Sequence, residues 1–199
     1  MPDIGELLTK NREWAARKRQ ADPLCVSQVP KQVPEYLWIG CSECECPPSA
    51  VVGLPPDEVF AYYNMANQMM PTDISSASVL QYAVEVLQVK HIIVCGHDNC
   101  GIIQAAQGAG DGVLLNHWLL DLHMHLHGHQ RARQEHGTHL DMPLNKLCEL
   151  NVIRQVEHVV QSTCVQDAWR QHQSLHIHGW ILCVTDGRIK DLGISQGIA

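Results

Sequence analysis

The sequence predicts an α/β fold with a mostly parallel central sheet flanked by helices. Two short apolar runs, 36–40 and 91–96, end in glycine, which is typical of buried strands that open into tight turns. Segments with apolar residues at helical spacing separate such runs, and strands that alternate with helices favour a parallel sheet. A chain of 199 residues is long enough for one such domain over 1–199, with residues 1–34 as an N-terminal arm and its connection.

The first half of the chain contains three of the predicted elements. Residues 4–19 carry Leu7, Leu8 and Trp14 at helical spacing, which predicts an amphipathic helical arm. A proline-containing connection then leads to the strand at 36–40. Residues 58–64 are rich in aromatic and β-branched side chains and form the second predicted strand.

A helix and the next strand follow in the middle of the chain. Residues 76–87 show helical periodicity, and Ser75 or Ser76 is expected to cap the helix at its N-terminus. The strand at 91–95 comes directly after this helix.

The second half of the chain predicts three further helices and one further strand. The helices are expected to start within 100–107, to cover 116–133, and to cover 151–163, where valines repeat along one face. The strand is expected over 176–185. It ends at Asp186-Gly187, a hairpin signal that predicts an antiparallel edge to the sheet.

Composition excludes several classes of partner. The formal charge is −7 and no block of Lys or Arg is present, so we expect no nucleic acid and no anionic membrane as partner. No apolar run approaches the roughly 20 residues of a membrane span. Nine cysteines in a chain whose first 20 residues lack the apolar region of a secretory signal indicate metal or thiol chemistry in a cytoplasmic location.

Two stretches have the residue types of a single zinc site. Cys41 follows the first apolar run, and His97 and Cys100 follow the second. In a parallel sheet, ligands collect at the carboxyl ends of neighbouring strands. Two thiolates and one imidazole suit Zn²⁺, and three protein ligands leave a fourth position open, as in catalytic sites.

The chain resembles the β-class carbonic anhydrases over nearly its whole length. The matching stretches are 37–42, 47–59, 64–67, 78–84, 91–97, 150–157 and 178–180. The resemblance implies that Cys41, His97 and Cys100 bind zinc and that the sheet has a four-stranded parallel core. It also implies a helical arm that embraces a partner subunit in a homodimer or tetramer.

The resemblance breaks just after the first zinc ligand. The family motif there is Cys-x-Asp-x-Arg, in which the Asp accepts a hydrogen bond from the metal-bound hydroxide and the Arg holds that Asp away from the metal. This chain has Glu43 and Glu45 at the two positions. The pair becomes two carboxylates, which repel anions and raise each other's pKa. Tyr63 and Ile102 replace a family Arg and Gly, which removes a cation and adds bulk to the pocket.

Glu43 has three possible roles. It is able to act as a fourth zinc ligand, as the general base or hydrogen-bond acceptor of the catalytic water, or as a bystander. Glu45 is expected to be solvated, protonated or paired with a distant cation, because an unpaired buried charge is costly.

Other candidate residues have a simpler alternative. Cys44 is a rival fourth ligand in a closed Cys₃His site. Cys46, Cys95 and Cys148 are expected to be small buried hydrophobes. Seven histidines suggest metal binding or a proton shuttle, but a solvated helix face is favoured for them: His117, His123, His125, His127, His129, His136 and His139.

Two roles are possible for each of three further polar residues. Asp98 and Asn99 either orient His97 or form a turn. Gln32 is either a pocket residue that binds substrate, as in many family members, or a surface residue.

The expected function is that of a zinc-dependent lyase. By resemblance, zinc-bound hydroxide attacks CO₂ in its reversible hydration, or another small substrate in a related hydration or dehydration. The alternative is a weak or inactive zinc-binding homologue with a structural or regulatory role.

Overall fold

A computed structural model of the chain describes residues 3–21, 33–44, 46–106, 117–122, 124 and 142–198. The chain separates into two compact units, residues 1–33 and 34–199. The first contains helix α1 (Ile4–Ala21), whose first turn is held by Asp3, because its carboxylate accepts a hydrogen bond from the Glu6 amide at 2.9 Å. Leu7, Leu8 and Trp14 of α1 are exposed.

The second unit is built on a six-stranded sheet. Its strands and helices in chain order are β1 (Tyr36–Cys41), α2 (Pro48–Val52), β2 (Val59–Asn64), α3 (Ile74–Gln81), β3 (His91–His97), α4 (Gly101–Ala105), α5 (Leu144–Gln161), α6 (Thr163–Arg170), β4 (Leu175–Leu182), β5 (Ile189–Asp191) and β6 (Gln196–Ile198). The spatial order is β2-β1-β3-β4-β5, and β6 also pairs with β4.

The four longest strands form the four-stranded parallel core that the family resemblance implied. β2, β1, β3 and β4 pair in parallel, and β5 and β6 add an antiparallel edge along β4. Register brings Gly40 of β1 opposite Cys95 of β3. The ends of β1 and β3 therefore lie side by side, which decides where the site forms.

Side chains alternate between two hydrophobic clusters on opposite faces of the sheet. In β1, Leu37, Ile39 and Cys41 belong to the larger cluster, which α5 covers with its apolar stripe. Trp38 belongs to a smaller cluster with Ile93, Cys95 and Leu182. This alternation follows from the two-residue period of a strand.

Several element boundaries differ from the sequence-based expectation. Asp73, and not Ser75 or Ser76, caps α3, because its carboxylate accepts the amide hydrogen bonds of both serines. The predicted 76–87 helix ends its α-helical part at Gln81 and continues as a π-helical turn over Tyr82–Val86. Residues 117–122 are helical apart from a turn at Leu119, Met124 is also helical, and the remainder of the 116–133 prediction lies outside the described residues.

Candidate metal centre

The carboxyl ends of β1 and β3 bring the predicted donors together. Cys41 is the last residue of β1, His97 is the last residue of β3, and Cys100 directly precedes α4. The Sγ atoms of Cys41 and Cys100 are 3.9 Å apart. Two sulfurs bound at about 2.3 Å to one tetrahedral zinc are about 3.8 Å apart, so this spacing suits the ion.

Glu43 is the fourth member of the cluster. One donor atom from each of Cys41, Glu43, His97 and Cys100 lies within 4.8 Å of the others, and no second group of three or more such donors occurs within the described ranges. Cys41, His97 and Cys100 are almost fully buried, whereas the Glu43 side chain is 43% exposed. Three donors of the cluster are thus buried, and the fourth, the Glu43 carboxylate, faces solvent.

The His97 ring is oriented so that one nitrogen faces the cluster. Its Nδ1 donates a hydrogen bond to the backbone carbonyl of Asp98 at 2.9 Å. Its Nε2 is buried and has no hydrogen-bond partner, although it lies 3.7 Å from Glu43 Oε2. A buried polar atom without a partner is costly. A metal ion would satisfy this one, and a carbonyl on the other nitrogen is the usual support of a metal-binding histidine.

The two thiols favour a single negative charge between them. A hydrogen bond from Cys100 lowers the pKa of Cys41 to about 4, against the opposing effect of burial, and the His97 ring and the amides of Glu43 and Ala66 assist. The pKa of Cys100 is raised by the Cys41 thiolate and by burial. Two adjacent thiolates therefore need a cation to coexist, and Zn²⁺ would supply one.

The thiolate charge also acts on the imidazole. Burial alone would lower the pKa of His97, but the nearby charge of the Cys41 thiolate, the Asp98 carbonyl and the charge of Glu43 raise it overall. A metal ion and a proton compete for the same nitrogen.

Glu43 is held at the cluster by α4. Its Oε2 accepts a hydrogen bond from the Gly101 amide at 2.8 Å. A Cβ on residue 101 would lie 2.7 Å from Glu43 Oε1, so the absence of a side chain there leaves room for the carboxylate.

A strained turn after β2 supports Cys41, and the sequence did not reveal it. Ala66 has φ +61° and Asn67 has φ +46°, values that non-glycine residues rarely adopt. The Ala66 amide helps to lower the pKa of the Cys41 thiol. The Ala66 carbonyl accepts hydrogen bonds from Asn151 Nδ2 at 2.9 Å and from Gln68 Nε2 at 3.0 Å.

The alternative hypothesis of a closed Cys₃His site that includes Cys44 is wrong. Cys44 packs against the Trp38 cluster, on the opposite face of the sheet from Cys41, and is not part of the donor group. The predictions for Cys95 and Cys148 are confirmed, since both are buried, and burial raises the pKa of Cys95 to about 12. The prediction for Cys46 is wrong, because Cys46 is exposed after the chain leaves the sheet.

The Asp98-Asn99 pair forms a turn. The Asp98 carboxylate accepts a hydrogen bond from the Val184 amide at 2.8 Å, and Asn99 has φ +52°. His97 is oriented by the Asp98 backbone and not by its side chain. Of the histidines in the 116–139 region, His117 is exposed, and the other six lie outside the described residues, as do Gln32 and Glu45.

A cavity of about 440 Å³ lies beside the metal loop. Its lining is Ser42, Cys44, Cys46, Pro47, Pro48 and Tyr63. A larger cavity of about 650 Å³ is lined by residues such as Met69, Leu80 and Cys164, and by none of the four donors. None of the four donors lines the smaller cavity either, and Tyr63 forms one of its walls.

Comparison with known proteins identifies relatives over most of the chain. The family model described as "Carbonic anhydrase" matches residues 36–189. A protein named "Carbonic anhydrase" from Emericella nidulans is 39% identical over 194 residues, which covers 96% of this chain and 83% of the relative.

Comparison with solved structures also identifies carbonic anhydrases as relatives. A tetrameric β-carbonic anhydrase from Sordaria macrospora aligns with a TM-score of 0.83 and 33% identity, covering 97% of this chain and 98% of the other. The Coccomyxa β-carbonic anhydrase in complex with acetazolamide aligns with a TM-score of 0.81 and 35% identity, covering 96% and 87%.

Proposed function

The chain belongs to the carbonic anhydrase family, and on that premise we propose that it is a zinc-dependent carbonate dehydratase acting on CO₂ and bicarbonate. The observation that carries the proposal is the buried Cys41, His97 and Cys100 cluster with an unpartnered Nε2. These three residues would hold zinc. Zinc in such a site supplies a nucleophile, because it acidifies a water molecule at its open position to a pKa near 7.

Glu43 is the proposed catalytic side chain. The Gly101 amide holds its Oε2, which leaves Oε1 to accept a hydrogen bond or a proton from the reacting water. Two thiolates and one zinc ion are formally neutral, so a carboxylate at this position makes the centre anionic and assists release of bicarbonate.

Three substitutions test the proposal in stopped-flow CO₂ hydration. Wild type is expected to exceed the buffer blank. His97→Ala is expected to lose both zinc and activity, and Glu43→Gln to keep zinc and lose about 10²- to 10⁴-fold in kcat. His172→Asn, at an exposed position with φ +59° that Asn tolerates, is the control. A zinc-loaded wild type that equals the blank rejects the proposal.

The same variants decide whether Glu43 is instead the fourth ligand. Its Oε2 lies 3.7 Å from His97 Nε2, and two light donors on one tetrahedral zinc are about 3.4 Å apart. X-ray absorption is expected to show two sulfurs, one nitrogen and one exchangeable oxygen in both wild type and Glu43→Gln. An oxygen that azide cannot displace in wild type, but can displace in the variant, would assign Glu43 as a ligand.

We further propose that the Glu43 and Glu45 pair limits the rate, because it replaces the Asp and Arg of the family motif. The double variant Glu43→Asp/Glu45→Arg is then expected to raise kcat at least tenfold. Glu43→Asp alone, which lacks the compensating cation, is the matched control. Equal rates for the double variant and wild type would show that the Glu43 and Glu45 pair does not limit the rate.

The remaining assignments rest on the same premise. We propose one domain over 1–199, self-association as a homodimer or tetramer, a small-molecule substrate, no nucleic acid or membrane partner, and a cytoplasmic location. Support comes from the charge of −7 and from the relative described as tetrameric. In the described ranges no helix combines the length and apolar character of a membrane span. The structural or regulatory alternative is not favoured, since the relatives are carbonic anhydrases.

A further inference from the structure

Three histidines lie at the amino ends of β3 and β4, at the opposite end of the sheet from the metal centre. His91 begins β3, and register places His176 opposite it and His178 opposite Ile93. Because side chains alternate along a strand, all three imidazoles lie on the same face of the sheet. Each of them is half-buried.

Two of these imidazoles are spaced like ligands of one ion. His91 Nδ1 lies 3.1 Å from His178 Nε2, and the ring centroids are 5.3 Å apart. Two nitrogens on one divalent transition ion are separated by about 2.9 Å at a right angle and about 3.4 Å in a tetrahedron. The observed separation falls within this range and is also a hydrogen-bond distance, so an ion would take the place of the proton between the two nitrogens, and His91 would carry its proton on Nε2.

Neighbouring side chains fix both rings. His178 Nδ1 lies 2.9 Å from Ser195 Oγ, and with the serine oxygen accepting that N–H, the Nε2 atom carries a lone pair. Tyr36 and His176 stack against His91, with ring centroids at 5.2 and 5.5 Å. The pair is therefore positioned before any ion binds.

The charge state also suits a metal. Burial, and then the neighbouring imidazoles, lower the pKa of His91 and of His178. Lys90 acts in the same direction on His91, whereas Glu35 raises the pKa of His91 and Asp191 that of His178. Both rings are thus neutral at neutral pH, and neutral imidazole is the form that binds metal.

We propose that His91 and His178 form a second binding site for a divalent transition ion such as Zn²⁺, with the other coordination positions open to solvent. His97 lies six residue steps along β3 from His91, about 20 Å at 3.3 Å per step, so the two sites are independent. With two protein donors, the site is expected to bind more weakly than the centre at Cys41, His97 and Cys100. A bound ion would link β3, β4 and, through Ser195, the segment before β6.

Zn²⁺ titrated into the zinc-loaded full chain tests the proposal by calorimetry. His91→Gln and His178→Gln are each expected to lose one binding event that wild type shows. Ser195→Ala, which keeps both imidazoles, is expected to weaken that event about tenfold. His172→Asn is the control for loss of a histidine elsewhere, and it should titrate like wild type. The difference between the titrations of wild type and of these two variants assigns the binding event to His91 and His178 and not to other histidines of the chain.

Thermal unfolding gives a second readout. Added Zn²⁺ is expected to raise the Tm of the zinc-loaded wild type, because a ligand that binds only the folded state stabilises it, and to leave the Tm of His178→Gln unchanged. CO₂ hydration and the zinc content of the first centre should match wild type in all four variants. Titrations of His91→Gln and His178→Gln that coincide with wild type would reject the second site.

Discussion

At the residue scale, the missing side chain at position 101 determines where the Glu43 carboxylate lies. The Gly101 amide donates to Glu43 Oε2, and a Cβ at this position would meet Oε1 at 2.7 Å. Gly101 does not have a positive φ, so its backbone conformation is open to any residue. The glycine is therefore needed for the space it leaves, and not for its flexibility.

Gly101→Ala is expected to lower kcat about 10- to 100-fold while zinc content and Tm are kept. The new methyl displaces the flexible end of Glu43, and misplacement of a catalytic group by about 1 Å has an effect of this order. Stopped-flow kinetics with metal analysis measures both quantities. Glu43→Asp in the Gly101→Ala background shortens the acid and should restore part of the loss. An unchanged kcat in Gly101→Ala would contradict the role given to Glu43.

The sequence predicted the three buried donors of the site because spacing after two buried strands is local information. Cys41, His97 and Cys100 each lie within four residues of a strand end. The Gly101–Glu43 hydrogen bond joins residues 58 apart, and the Ala66 turn depends on Asn151, 85 residues away. Such contacts exist only after the chain has folded, so no local pattern reveals them.

At the element scale, the parallel strands were predictable and the short connecting helices were not. β1 and β3 are nearly continuous apolar runs, as strands buried on both faces must be. α2 has five residues and β6 three, which is too few for a periodic pattern to appear. α6 was hidden because it follows α5 after a break at Ser162, whose ψ of 143° is extended.

The N-cap of α3 gives a pH-dependent prediction. Burial would raise the pKa of Asp73, but the hydrogen bonds that its carboxylate accepts from the Ser76 and Ser75 amides, together with the nearby Ser76 hydroxyl, lower it overall. Its contribution is therefore present above the ordinary Asp pKa and is lost as pH falls through the lowered value. Asp73→Ala is expected to reduce the free energy of unfolding by about 1 kcal/mol at pH 7.

Asp73→Asn is the matched control, because Asn caps a helix as well as Asp but does not titrate. It should keep most of the stability at pH 7. In urea unfolding between about pH 3 and 7, it should also lack the acid-dependent loss seen in wild type. Equal stabilities of wild type and Asp73→Ala at pH 7 would argue against this cap.

The junction of α5 with the turn after β2 depends on buried amides. Asn151 Oδ1 accepts hydrogen bonds from Gln68 Nε2 at 2.7 Å and from Gln155 Nε2 at 3.2 Å, and its Nδ2 donates to Ala66. Asn151→Ala leaves these partners buried without it, and we expect a loss of about 3 kcal/mol in the free energy of unfolding. Zinc should also be lost faster to a chelator. Lys146→Ala on the exposed side of α5 is the control.

At the scale of the whole molecule, the exposed apolar side chains of α1 predict self-association. Leu7 is 47% exposed and Trp14 is 51% exposed, and two helical turns place them on one side of the helix. Apolar residues grouped in this way are typical of an interaction surface. Leu7→Glu/Trp14→Glu is expected to reduce the mass measured by sedimentation velocity, whereas Arg12→Glu is not. An unchanged mass would show that these side chains of α1 do not contribute to the interface between subunits.

Stability of the folded chain should rise with pH through the titration of the histidine pair. The pKa values of His91 and His178 are lowered in the folded state, so the unfolded chain binds more protons. The free energy of unfolding therefore increases as pH rises from the lowered pKa values of the folded state to the ordinary histidine pKa near 6.5. The Tm difference between wild type and His91→Gln, followed from about pH 5 to 8, measures this contribution. A difference independent of pH would contradict it.

The pairing of Gly40 with Cys95 has a consequence for folding fidelity. If β1 slipped by one residue against β3, Cys41 would turn to the Trp38 face, away from His97 and Cys100. Only the correct alignment of two strands that are 50 residues apart in the chain assembles the zinc donors. An ion that binds these donors would stabilise the correct strand alignment, and we expect the yield of correctly folded protein to depend on the zinc supply during synthesis.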